Sequence, residues 1–150
     1  MYYPLLLLHS WTRWLLLLVI LLVIIRALNG WLNQKAYTKA DAQSGILYIM
    51  LMRLQFVLGL VLYFVSPFGF PTIQRLGMGA VMKDSIMRPW AIEHIFIMFV
   101  VVSLAEISTS KTKKISTDNG KHKMMAIFTM IALVLILVAI RSRLLVVQGF

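Results

Sequence analysis

Two histidines stand where an imidazole is costly to place. His9 lies in the stretch LHSWTRW at positions 8–14 and His94 in RPWAIEH at 88–94, each beside arginine and tryptophan at the opening of a long apolar run. Ionisable groups at membrane depth are expensive, and they usually face a bundle interior, a cavity or a partner. Each histidine follows a proline by five residues, Pro4 and Pro89, and proline suits the first turn of a helix. Both imidazoles are therefore predicted about 7–8 Å along their own helices. Two imidazoles at matching depth on facing helices can hold a haem iron from both sides, an arrangement suited to electron transfer rather than oxygen chemistry. The competing reading makes each histidine an interfacial hydrogen-bonding residue within an ordinary aromatic belt.

Cations and space would have to accompany such a group. Arg13 is one helical turn beyond His9, and Arg88, Arg141 and Arg143 are predicted near the same membrane face, where guanidinium groups could pair with the carboxylates of haem. Snorkelling arginines leave the same trace in a sequence. Gly59, with Tyr63 one turn further on, could let a porphyrin approach the backbone; close helix packing through a small residue is the preferred reading. Glu93 could orient an imidazole, relay a proton, or simply pair with Arg13 or Arg88. The absence of cysteine excludes disulfides, thiolate metal sites, iron–sulfur clusters and thioether-linked haem.

The elements that must position these residues are membrane helices. Hydrophobic residues make up 61% of the chain and charged residues 13%, with a mean hydropathy of +0.88. Soluble domains average roughly 45–50% apolar and 25% charged. A chain of 150 residues has room for about four spans of roughly 20 residues and short loops. The expected fold is all-α: one integral membrane domain over residues 1–150, a four-helix antiparallel bundle with spans at about 4–28, 46–65, 89–108 and 124–145. The N-terminal stretch reads as a retained helix rather than a secretory signal, because it lacks a basic N-region and is interrupted by His9 and Arg13. Residues 66–88 form a longer loop whose apolar middle suits the membrane surface, although its glycines weaken a helix there.

A net charge of +10 would suggest nucleic acid in a soluble protein. Here it is spread over short loops, so loop bias and anionic lipid explain it and no nucleic-acid partner is expected. Eight basic residues flank the 1–2 and 3–4 connections, against six on the other side. The positive-inside rule then places both termini outside. An even span count puts His9 and His94 on one face in either orientation. His122, in KHK at the opposite face, is expected to be a solvated loop residue.

Three further groups carry weaker signals. Arg53 and Glu106 are predicted at similar depth on helices 2 and 3, where they would form a buried ion pair; a quinone or proton site is the weaker reading. Met78, Met82 and Met87 are soft ligands suited to Cu(I), but they read better as gap-fillers. A small multidrug-type exporter fits the span count but not the absence of a mid-helix carboxylate for proton coupling.

LHSWTRWLLL, then LQFVLGLVLYF, then RPWAIEH together resemble the small bacterial four-helix membrane proteins described as cytochrome-b-like. The likeness spans essentially the whole chain. It extends more loosely to the first-helix histidine of membrane b-type cytochromes and to copper-resistance membrane domains. The resemblance implies a b-type haem and quinone-linked or periplasmic electron transfer; in the bacterial inner membrane the basic-residue count then makes both termini periplasmic. Two-haem membrane cytochromes need four ligands and this chain has three histidines, so one haem, held by His9 and His94, is the expectation. A haem-bearing anchor of a redox complex fits equally, with redox-complex subunits or a quinone as partners and either homo- or hetero-oligomers. The alternative is a non-catalytic scaffold subunit without haem, and the sequence does not decide whether the protein is an enzyme.

Overall fold

A computed structural model describes the backbone of residues 2–147 and the side chains through Arg141; Arg143 lies outside the described side chains. Four helices are long and apolar enough to cross a membrane. They are α1 (Tyr2–Leu32), α2 (Lys39–Val65), α5 (His94–Thr112) and α6 (Asp118–Val147), with two short helices, α3 (Phe70–Leu76) and α4 (Met78–Lys83), between the second and third spans. Helix α1 packs on α2 and α6, and α5 packs on the same two. Helices α1 and α5 therefore occupy one diagonal of the bundle, and α2 and α6 the other.

The spans are longer than their apolar runs because polar turns extend them. Helix α2 starts at Lys39 rather than at about 46, because Thr38 and Asp41 form a reciprocal capping box. That box satisfies amides that would otherwise open the helix unpaired. Helix α1 continues through Asn29 and Gly30 and stops only at Gln34, in the left-handed region with φ 49°. The Lys35 amide there donates to the Gly30 carbonyl at 3.0 Å, the 6→1 bond of a Schellman end. At its far end α2 stops as expected, at Ser66 before Pro67.

The 66–88 segment is more ordered than its glycines suggest. Gly77, at φ 82°, breaks what would be one amphipathic helix into α3 and α4, a conformation in which glycine carries no Cβ penalty. The Asp84 carboxylate then accepts from the amides of Ile86 (2.8 Å) and Met87 (3.0 Å). Those two amides hold its pKa below the ordinary carboxylate value. From that turn the chain enters a π-helical turn, Pro89–Glu93, before α5 begins at His94. A π-turn inserts one residue and so rotates the remainder of the span by about 100° relative to a continuous α-helix. His94 thus owes its direction to a distortion that the Pro-to-His spacing does not reveal.

The tightly packed core occupies the half of the bundle next to the α1–α2 and α5–α6 connections; that half is termed inner, and the half at the start of α1 outer, for their place relative to this core. Leu16, Val19, Ile20, Val23, Ile24 and Ala27 of α1 meet Tyr48, Ile49 and Met52 of α2, Val101 and Ala105 of α5, and Met125, Ala126, Ala132 and Ile136 of α6. Lipid tails are as apolar as leucine, so close contact rather than water exclusion must hold such helices together. The alanines serve that end: Ala105, Ala126, Ala132 and Ala139 are fully buried. Towards the outer ends of the helices this packing opens.

Candidate functional site

The opening is a cavity of about 540 Å³ walled by all four long helices and the π-turn. His9 and Arg13 reach it from α1, Gln55, Gly59 and Tyr63 from α2, Trp90 and His94 from the π-turn and α5, and Ile136 and Ile140 from α6. Pockets of roughly 300–1,000 Å³ with mostly apolar walls and a few placed polar groups are the usual form of a cofactor site. The two histidines stand on helices of one diagonal, which face each other across the bundle rather than side by side.

His9 is held from α2. The Gln55 amide donates through Nε2 to the His9 carbonyl at 2.9 Å, and the same nitrogen lies 3.3 Å from His9 Nε2. Gln55 Oε1 in turn contacts the Thr12 hydroxyl. Gln55 is buried, and its only sequence signal is an amide inside an apolar run, which belongs to no motif. Below the ring lies Gly59, where an added Cβ would stand 3.1 Å from His9 Cε1 and 3.7 Å from Nδ1. The glycine makes room for an imidazole rather than for a neighbouring helix backbone.

Arg13 supplies the electrostatics. Its Nη2 donates to Ser10 Oγ at 3.1 Å, and its guanidinium lies 5.4 Å from the Trp14 ring centroid. Its Nε is buried with no hydrogen-bond partner among the described residues. A buried charged donor left unused is costly, and an anionic group in the cavity would satisfy it. No Asp or Glu is among the described residues that line the cavity, so an anion meets no like charge on its wall.

The other arginines are placed elsewhere. Arg88 pairs through Nε with Glu93 Oε1 at 2.7 Å and donates through Nη1 to the Met82 carbonyl. Between Arg13 and Arg88, Glu93 takes Arg88. Arg141 is exposed on α6, one residue beyond the wall residue Ile140. Neither Arg88 nor Arg141 lines the cavity. Met78 and Met82 are exposed on α4, and among the described residues no three His, Asp or Glu side chains converge on a metal-sized site.

His122 corrects an expectation. It is not a solvated loop residue but lies within α6 with 2% of its surface exposed. Its ring packs so closely on Gly30 that an added Cβ there would stand 2.2–2.4 Å from it, and it lies 5.0 Å from the Tyr37 ring. Helix α6 begins at Asp118, earlier than the apolar run implies, and this carries LysHisLys into its first turns. Beside it, Arg26 and Asp41 form an ion pair at 2.8 Å. Burial, with the Asp41 charge as the lesser cause, raises the Tyr37 phenol above its ordinary pKa. The space between these groups is about 10 Å³, one water at most.

Arg53 and Glu106 do meet, in a two-pronged pair with Nε–Oε1 at 2.5 Å and Nη2–Oε2 at 2.8 Å. The pair is not buried within the chain. Its side chains are 60% and 42% exposed on the outer face of α2 and α5.

Comparison with protein-family models, with curated proteins and with solved structures returns no match. The class rests on the fold alone: an all-helical, multi-pass membrane protein of bundle type. Within that class, what distinguishes the chain is a cavity near the outer helix ends with one histidine on each of two diagonal helices.

Proposed function

We propose that the cavity holds one b-type haem, with His9 and His94 as the axial ligands and Arg13 as the partner of a haem carboxylate, and that the protein carries electrons in the membrane. The observation that supports this best is that the three residues line a single cavity of about 540 Å³. The fit extends to the orphaned Arg13 Nε and to Gly59, whose missing Cβ leaves room for the His9 ring at the cavity wall. A haem held by two imidazoles supplies reversible one-electron chemistry without an open coordination position. The chain's own contribution is to orient His9 through Gln55, to direct His94 through the π-turn, and to surround the site with apolar wall. Groups that hold a ligand from behind, as Gln55 does, set which imidazole nitrogen is available. The proposed setting is the bacterial inner membrane with both termini periplasmic, supported by the lysines at the α1–α2 and α5–α6 connections.

The test is a visible spectrum of protein isolated from a haem-sufficient membrane. The wild type should show a Soret band and sharp reduced α and β bands. His9→Ala and His94→Ala should each abolish the low-spin spectrum, and His122→Ala should leave it intact. A wild-type protein without a Soret band would sink the haem reading and leave a scaffold subunit in its place. Orientation is tested separately: with no native cysteine, Ser116→Cys should react with impermeant maleimide only from the cytoplasmic side.

A further inference from the structure

The Arg53–Glu106 pair poses a problem that the rest of the fold does not solve. Arg53 stands seven residues past the start of the apolar run of α2 at Ile46, and Glu106 six residues before the end of α5 at Thr112. At 1.5 Å per residue Arg53 lies roughly 10 Å inside its apolar run, and its partner Glu106 roughly 9 Å from the end of its helix. Yet the pair faces outward, with 60% and 42% of its side-chain surface uncovered. Arginine has five N–H donors and carboxylate about four lone-pair sites, and the two bonds between them leave most of these unused. Lipid tails can satisfy none of them. The surroundings are open and mostly apolar, with Met50 61% exposed, Val57 55% and Phe99 60%, and Lys113 near enough for its charge to act on Glu106. The Pro89–Thr112 span is the least covered of the four, 22% buried against 33–39% for the others.

We infer that this α2–α5 face is the contact surface of a homodimer, with a second copy of the chain covering the Arg53–Glu106 pair. The charge pattern identifies the occupant. A twofold axis along the membrane normal keeps every residue at its own depth and makes the interface self-complementary. A surface that displays one cation and one anion side by side at a single depth is then matched by its own rotated copy. Each guanidinium meets the partner's carboxylate, and four charges close into an alternating ring. A different protein would have to bring its own cation and anion to the same depth; a second copy does so by construction. This inference stands independently of what the cavity holds.

The absence of cysteine makes the test direct. Single-cysteine variants Ser103→Cys and Phe99→Cys, reconstituted in phosphatidylcholine–phosphatidylglycerol vesicles at low protein density, are treated with a mild oxidant and run without reductant. At least one should cross-link to a dimer at ten or more times the level of Leu18→Cys, on an exposed α1 position. Adding Arg53→Glu should lower that cross-linking at least tenfold, and adding Glu106→Arg to it should restore most of it, because the reversed charges are again complementary. Unsubstituted protein, labelled at its N-terminus, should bleach in two steps in single vesicles, which guards against variants that fail to fold. One-step bleaching overturns the inference. So does cross-linking no greater than at Leu18→Cys, cross-linking undiminished by Arg53→Glu, or an adduct found only in native membranes with the mass of a different protein.

Discussion

The outer and inner parts of the bundle treat histidine in opposite ways. In the outer part His9 and His94 are half-buried and face about 540 Å³ of open space. In the inner part His122 is 2% exposed, pressed onto Gly30 beside an ion pair, with room for one water at most. Both ends pair an imidazole with a glycine, but the margins differ: an added Cβ would stand 3.1 Å from the His9 ring at Gly59 and 2.2 Å from the His122 ring at Gly30. The difference separates a glycine that leaves a ring room to move from one that locks a ring in place. The outer end keeps open space beside its imidazole, while the inner end packs α1, α2 and α6 around one.

Polar substitutions at the two ends should therefore differ most. Asp41→Ala removes both the α2 capping box and the partner of Arg26, and should destabilise the protein by about 2–3 kcal/mol. That is below the roughly 3–5 kcal/mol of a fully buried pair, because the Arg26 side chain keeps 36% of its surface exposed. Gln55→Ala, its counterpart at the cavity, should cost less than about 1 kcal/mol, since Thr12 keeps the Leu8 carbonyl as an acceptor. Titration with SDS in mixed micelles, followed by far-UV circular dichroism, measures both. Equal losses would erase the distinction between the two ends.

The same methyl group added at each glycine gives the next largest contrast. Gly30→Ala forces a Cβ into the His122 ring and should cost about 1–3 kcal/mol through overpacking, with His122→Ala in the same chain recovering most of it. Gly59→Ala should change stability by less than about 0.5 kcal/mol, because the His9 ring can shift into the cavity and alanine is the better helix former. If the cavity holds the proposed haem, its effect should appear instead in the spectrum of that group. A Gly59→Ala protein as unstable as Gly30→Ala would mean that the outer end is packed after all.

The smallest effect is a pH dependence at the turn that leads into the π-helical segment. Asp84 has a folded pKa below its ordinary value of 3.8 because two amides donate to it. A depressed carboxylate pKa contributes stability above the unfolded pKa and loses it as pH falls through the folded one. Protection of the Ile86 and Met87 amides from hydrogen exchange should thus be constant near neutrality and fall below about pH 4, and Asp84→Asn should weaken it at every pH. Protection unaffected by that substitution would remove Asp84 from the account of how His94 is aimed.

Much of this architecture is legible without coordinates. Apolar runs of sufficient length dictate four spans, and Pro67 and Pro89 mark where the second ends and the third begins. Similar depth brings Arg53 and Glu106 together, and His9 and His94 share an end because an even number of crossings returns the chain to the same side. The apolar run alone places the start of α2 at about 46; the Thr38–Asp41 capping box, a Thr with an acid three residues on, accounts for its earlier start at Lys39. These are properties of residue type and spacing along one chain direction, where hydropathy and helical rise suffice.

The features that depend on the packed bundle are angular. The π-turn changes the azimuth of His94 without altering the proline spacing. Helices α1 and α5 lie on one diagonal with the cavity between them, and the rotation of α2 and α5 turns the Arg53–Glu106 pair outward rather than into the core. His122 is buried because Gly30 on another helix leaves room for its ring, a contact 92 positions distant in sequence. Depth along a helix accumulates residue by residue and can be counted; the direction a side chain faces depends on which neighbours its helix packs against, and that is settled only when all four helices close.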